Sequence, residues 1–198
     1  MIPGIKRITI LSHGCSVLTP NVKKDDMRIL SPKGIDQATE RRGKMNYPDF
    51  GFAICSGMLR TLQTAEIISG GKAVTANVPE LFATPEPDDE KDLEVLYHRF
   101  PNGPLRTCQI SDATGAFMRF VINMANQISE KLQYGANLEL DIQRVLIIGH
   151  GVYVAALGES LYRKRSEVLG HHWIGECEGV SIFFTDSGSP CTLETHFD

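Results

Sequence analysis

Arg144-Val145-Leu146-Ile147-Ile148-Gly149-His150-Gly151 sets four large aliphatic residues in a row behind a charged one and closes on Gly-His-Gly. The run does not alternate between polar and apolar positions. A strand of this kind needs cover on both faces, which is the situation of a parallel strand lying between two layers of helices. The stretch has an echo near the start of the chain. Ile8-Thr9-Ile10-Leu11 reads as another buried strand, and Ser12-His13-Gly14 follows at once.

Working outward, apolar β-type runs alternate with helical stretches. Phe50-Gly51-Phe52-Ala53-Ile54-Cys55 is a third strand, broken by Ser56-Gly57. Pro32 to Met45 reads as a helix, with proline in the first turn and Gly43 near the end. Leu59 to Ile68 is a second helix, stopped by Gly70-Gly71. Phe117, Phe120, Val121, Met124, Ile128 and Leu132 recur at three- and four-residue intervals, the stripe of a long core-facing helix. A further helix is expected after Gly151, a late strand at Val180–Phe184, and a short edge strand or frayed tail after Ser187. Such alternation predicts a three-layer α/β fold, a mostly parallel sheet with helices on both faces.

One region breaks the rhythm. Thr84 to Asp112 contains Pro85, Pro87, Pro101 and Pro104 together with Asp88-Asp89-Glu90. It reads as an insertion over the sheet edge, at about residues 84–112, with a short helix near Lys91–Phe100. A chain of 198 residues then forms one domain, residues 1–198, large enough to bury a core without disulfides or structural metal.

Composition removes several classes of function. Hydrophobic residues make up 42% and charged residues 22%, and the net charge of −4 comes with no block of like charges, so no broad nucleic-acid surface is expected. No apolar run approaches the roughly 20 residues of a membrane span. The residues before Ile8 lead straight into a strand rather than through a signal peptide. Cysteines 15, 55, 108, 177 and 191 are scattered without zinc-ligand spacing, and they read as reduced thiols in a cytoplasmic protein.

Chemistry gathers at the strand ends. Ligands of open α/β sheets collect beyond the carboxyl ends of the strands, and two predicted strands end there in His-Gly, at 13–14 and 150–151. An imidazole at such a tip can act as nucleophile, proton carrier, metal ligand or hydrogen-bond donor to phosphate, and the glycine after it lets an anion approach the backbone. A third strand end leads into Ser56-Gly57-Met58-Leu59-Arg60-Thr61, where Arg60 sits at the positive end of a helix. Taken singly, a His-Gly pair is turn chemistry and Arg60 a surface arginine. Taken together, two imidazoles and one guanidinium on one rim describe a phosphate site.

Ser56 to Ile68 resembles the S-x-L-x-R-T-x-Q-T-A-E segment of the histidine phosphatase superfamily, also called phosphoglycerate-mutase-like, shifted slightly at its first positions. Leu30-Ser31-Pro32-Lys33-Gly34-Ile35-Asp36-Gln37-Ala38 resembles that family's L-T/S-x-x-G-x-x-Q-A helix start, and the strands ending at His13 and His150 resemble its two histidine strands. The motifs come in the family's order and span residues 5 to about 184. The resemblance implies a phosphoglycerate-mutase-like fold and a phosphomonoesterase that needs no metal and no cofactor. His13 would be phosphorylated in line, with Arg60 and His150 holding the equatorial oxygens and Ser12 and Gly14 lining the phosphate. A carboxylic acid would protonate the leaving oxygen; Glu80 stands in the best place, with Glu86, Asp88 and Asp89 as rivals, and a solvated loop carboxylate is the equal alternative.

One position departs from the pattern. The family reads Arg-His-Gly at the first strand tip, and this chain reads Ser12-His13-Gly14. A charge-assisted hydrogen bond contributes about 1.5–3 kcal/mol, so losing that arginine slows turnover on the order of ten- to a few hundredfold. Arg28, Arg99 and Arg106 are the candidates to fill the gap. Two expectations follow. The chain hydrolyses a small phosphorylated molecule through phospho-His13, or it is an inactive member that binds inorganic phosphate or a protein partner. A mutase fits less well, because the family's phosphoglycerate mutases are longer and need an intact, strongly cationic site; a phosphatase acting on phosphohistidine in proteins fits less well, because the insertion points to a covered pocket. His171 and His172, with Glu176 and Cys177 following, read as loop residues rather than metal ligands, and Trp173 as packing. Tyr97 and His98 in the insertion either touch the substrate or complete an amphipathic turn.

Overall fold

A computed structural model describes residues 4–18, 27–46, 49–78, 115–151, 154, 157–158 and 174–197. The strands are β1 (Arg7–Ser12), β2 (Ser16–Val17), β3 (Ile29–Leu30), β4 (Phe52–Cys55), β5 (Val74–Asn77), β6 (Arg144–Gly149), β7 (Gly179–Phe184) and β8 (Pro190–His196). The helices are α1 (Pro32–Lys44), α2 (Leu59–Ser69) and α3 (Gly115–Asn137). Gly151 and Val154 are also helical, and the Val154 N–H donates to the His150 carbonyl at 2.9 Å, so a helical turn follows β6 directly. The insertion expected at about 84–112 lies outside the described residues.

Six strands form one sheet in the order β5-β4-β6-β1-β7-β8. β5, β4, β6 and β1 run parallel, and β7 and β8 are added antiparallel at one side. The register places Ser12 opposite Gly149, so the residues that follow, His13 and His150, leave the sheet side by side. Phe52 to Cys55 and Val145 to Ile148 are buried throughout, as a non-alternating run requires. One face, with Leu11, Ala53, Leu146 and Ile148, packs under Ala38 of α1 and Ala65 and Ile68 of α2. The other, with Ile10, Ile54, Ile147 and Val180, packs against Ile128 and Leu132 of α3. Helix, sheet and helix make the three layers.

Local chemistry sets the helix ends. Ser31 caps α1 by accepting from the Gly34 N–H at 3.0 Å, Pro32 occupies the first turn, and Arg41, Arg42 and Lys44 complement the carboxyl end. α2 stops where Gly70 takes a left-handed φ of 65°. The third sequence-predicted strand is shorter than expected: Phe50 is buried in the core, but pairing begins at Phe52. The tail after Ser187 is β8, paired along β7. β5 and the β2–β3 ribbon are the elements the pattern did not announce.

Candidate active site

His13 follows β1, His150 follows β6, and the first turn of α2 carries Arg60. The two rings stand edge to face, centroids 4.8 Å apart and planes at 69°. Arg60, itself only 3% exposed, donates from Nε to His13 Nε2 at 3.3 Å. Three residues from separate strand ends therefore meet at one point.

Hydrogen bonds fix the state of His13. Its Nδ1 lies 2.7 Å from the Gly14 carbonyl, which can only accept, so Nδ1 carries the proton. Nε2 accepts from Arg60, so it holds the lone pair. Burial holds the ring below the ordinary imidazole value; the Gly14 carbonyl pulls the other way, Arg60 and Arg28 add to the lowering, and Glu176 opposes them. The result is a neutral imidazole with a defined tautomer and its lone pair turned toward a cation.

His150 is held by a hydroxyl relay. Thr61 gives its single hydroxyl hydrogen to the Met58 carbonyl at 2.8 Å. Ser56 Oγ, 3.1 Å from Thr61 Oγ1, is then the donor of that pair, which leaves it to accept from His150 Nε2 at 3.1 Å. The Ser56-to-Thr61 turn thus positions the second imidazole as well as the guanidinium.

The backbone around His13 is tied down at every residue. His13 N–H donates to Gly149 O at 3.1 Å, and its carbonyl accepts from Cys177 N–H at 3.2 Å. Cys177 adopts a left-handed φ of 59° to do so, a conformation costing about 1–2 kcal/mol for an ordinary L-residue. Gly14 N–H donates to Thr64 Oγ1 at 3.2 Å, and that hydroxyl donates to Arg60 O at 2.7 Å. Both polar groups of Gly14 therefore serve the scaffold. A Cβ there would stand 2.7 Å from the Gly34 carbonyl, so the packing of helix α1 by itself demands glycine at 14. Cys15 N–H donates to Gln37 Oε1 at 2.9 Å, and its carbonyl accepts from Ser31. Leu30 N–H donates to Gln63 Oε1 at 2.8 Å, anchoring the β2–β3 ribbon on α2.

Two more charged residues reach the site. Arg28 donates from Nη2 to Ser16 O at 3.0 Å across the ribbon, and its charge is felt at His13. Glu176 stands beside the segment that binds the His13 carbonyl. Burial raises its carboxyl pKa, but hydrogen bonds from Gln37 and Cys15, with the charge of Lys33 adding to them, outweigh that, and the net shift is downward. Ser12 is buried at the end of β1, its N–H bonded to Glu178 O at 2.8 Å. Glu80, its rivals Glu86, Asp88 and Asp89, and Tyr97, His98, Arg99, Arg106, His171, His172 and Trp173 lie outside the described residues. Cys15, Cys55, Cys177 and Cys191 are thiols, and burial pushes that of Cys55 up to about 12. Among the described residues no helix is long and apolar enough to cross a membrane.

No protein-family model and no curated protein matches the chain. Solved structures do. The protein histidine phosphatase SixA complexed with tungstate is 18% identical over 95% of this chain and 94% of its own, with a TM-score of 0.57. A phosphoglycerate mutase from Bacillus anthracis is 15% identical over 98% and 93%, with a TM-score of 0.62. Mycobacterial glucosyl-3-phosphoglycerate phosphatase complexed with VO3 is 17% identical over 96% and 98%, also at 0.62. The chain has the three-layer fold of these proteins along nearly its whole length.

Proposed function

We propose that the chain is a phosphomonoesterase that moves the phosphoryl group of a small phosphorylated molecule to His13 and then to water. The observation that carries the reading is the state of His13: neutral, Nδ1 protonated, Nε2 presenting its lone pair beside Arg60. An unprotonated nitrogen next to a buried guanidinium is what in-line attack on phosphorus needs. That fold-mates hold tungstate and VO3, tetrahedral and trigonal stand-ins for phosphoryl, adds support.

In this reading His13 Nε2 forms a bond to phosphorus as the bond to the leaving oxygen breaks. Arg60 turns from the ring to the phosphoryl oxygens, with His150 as second donor. Arg28 is assigned the place that the resemblance gives to an arginine at position 12, and Ser12 adds a hydroxyl. The acid that protonates the leaving oxygen, and then takes a proton from the attacking water, is assigned to Glu80, with Glu86, Asp88 and Asp89 as alternatives. Water breaks the N–P bond, inorganic phosphate departs, and His13 is restored.

A serine at position 12 favours a second reading, in which the pocket binds the anion without turning it over. Purified protein and a His13→Ala variant are to be compared with p-nitrophenyl phosphate from pH 5 to 8, alongside orthovanadate binding. Turnover by the native chain and none above background by the variant is the expected result. Vanadate binding with equal background rates selects the second reading, and neither binding nor turnover removes both.

A further inference from the structure

Gln37, on α1, is held at both ends of its amide. Its Oε1 accepts from Cys15 N–H at 2.9 Å, and its Nε2 donates to Glu176 Oε2 at 3.0 Å. Cys15 belongs to the turn that carries His13, and Cys177, the neighbour of Glu176, binds the His13 carbonyl through its N–H. The carboxylate, the amide, the turn and the segment before β7 therefore close a ring around the backbone of the histidine. Lys33 Nζ stands 3.7 Å from the same carboxylate oxygen and fixes it from the α1 side.

We propose that Glu176 is the positioning residue of the nucleophile turn, clamping it through Gln37 and standing as counter-charge to the arginines that crowd His13. The proposal rests on the reading of His13 as the group that meets phosphorus. The charged and titratable groups facing that ring come from five elements: Arg60 from α2, Arg28 beside β3, His150 after β6, Glu176 before β7, and Lys33 from α1 by way of Glu176. Among the described residues acting on His13 by charge, Glu176 is the one of negative sign. Without it, two guanidiniums act on an imidazole that is already half-buried, and its affinity for a proton falls further.

Clamp and counter-charge separate by substitution. Glu176→Ala removes both, Glu176→Gln keeps an acceptor for the Gln37 amide without the charge, and Gln37→Ala cuts the clamp and leaves the carboxylate. The readouts are the titration of His13 by NMR on ring-labelled histidine, which needs no turnover, and the pH profile of p-nitrophenyl phosphate hydrolysis. Glu176→Ala is expected to lower kcat about three- to tenfold and to move the His13 titration and the acid limb of kcat/KM to lower pH. Glu176→Gln is expected to recover part of the kcat loss yet keep the shifted titration. Gln37→Ala should lower kcat with the titration near its native position. A native titration in Glu176→Gln, or native kcat in Glu176→Ala, overturns the proposal. If the titration moves as expected while native protein and His13→Ala share a background rate, the phosphatase reading fails and the role of Glu176 at His13 stands.

Discussion

His13 and His196 belong to the same sheet and share two properties often taken as marks of function: both are at least half-buried, and both are held below the ordinary imidazole pKa. Their surroundings differ in kind. His196, on β8, meets Ser181 Oγ on β7 at 2.7 Å, and Ser181 meets Thr9 Oγ1 on β1 at 2.7 Å, a polar line crossing three strands beneath α1. Burial, with Arg41 and Arg7 adding to it, brings His196 down to about 4. That ring completes a scaffold contact. His13 instead leaves the sheet at its carboxyl end, where a second imidazole and a guanidinium converge on it. Burial and a lowered pKa do not separate the two histidines; convergence of donors does.

Four measurements test that contrast, beginning with the largest effect. His13→Ala is expected to reduce phosphate-ester turnover roughly a thousandfold or more. His196→Ala should leave turnover per folded molecule within about a factor of two and cost about 1–3 kcal/mol of stability. If both variants lose activity alike, the division between site and scaffold is wrong.

Arg60→Ala should lower kcat/KM on the order of a hundred- to a thousandfold. Arg60→Lys should not recover it, because a lysine cannot reproduce the planar fork. Full recovery by lysine would mean that charge alone matters there.

His196 also predicts how stability follows pH. Its folded value of about 4 lies below its ordinary value of 6.5, so the unfolded chain takes up the proton first. Stability from the neutral ring is complete above 6.5 and lost progressively as pH falls toward 4, about 3 kcal/mol in all. Denaturant melts at pH 7, 5.5 and 4 should show the decline, and His196→Gln should flatten it. An unchanged slope in that variant assigns the acid sensitivity elsewhere.

The smallest effect belongs to Thr64→Val. It removes the hydroxyl that joins Gly14 N–H to Arg60 O, and should cost about 1 kcal/mol in a thermal melt, with kcat/KM falling by a few-fold.

Much of the fold was legible because it is written in hydrophobic runs. Val145 to Ile148 and Phe52 to Cys55 could be only buried strands, and Ser31-Pro32 and Gly70 marked helix ends. β5 was not legible, since Val74, Thr75 and Asn77 are exposed on an outer strand and carry no burial pattern. The β2–β3 ribbon has two residues per strand, and its pairing is set by anchors on Gln63 and Ser31 that no local pattern reveals. The site divides the same way. His13, Arg60 and His150 stand at recognisable strand ends, but their meeting required the order β4-β6-β1. Arg28 and Glu176 arrive by a ribbon and a loop, where spacing says nothing about distance, and the run Gly175-Glu176-Cys177-Glu178 looked like ordinary connection. Gly14 was read as room for an anion, and a demand the sequence did not show is that its missing side chain also accommodates Gly34.

Gly34 extends that last point. A Cβ at this position would stand 2.0 Å from the Cys15 carbonyl, so helix and turn meet backbone to backbone with no side-chain layer between them to give way. α1 runs on from that joint at Gly34 to Lys44, about 15 Å at the rise of an α-helix. A displacement at its far end reaches the imidazole without a soft coupling to absorb it. Mechanically, the His13 ring rides at the short end of a stiff lever.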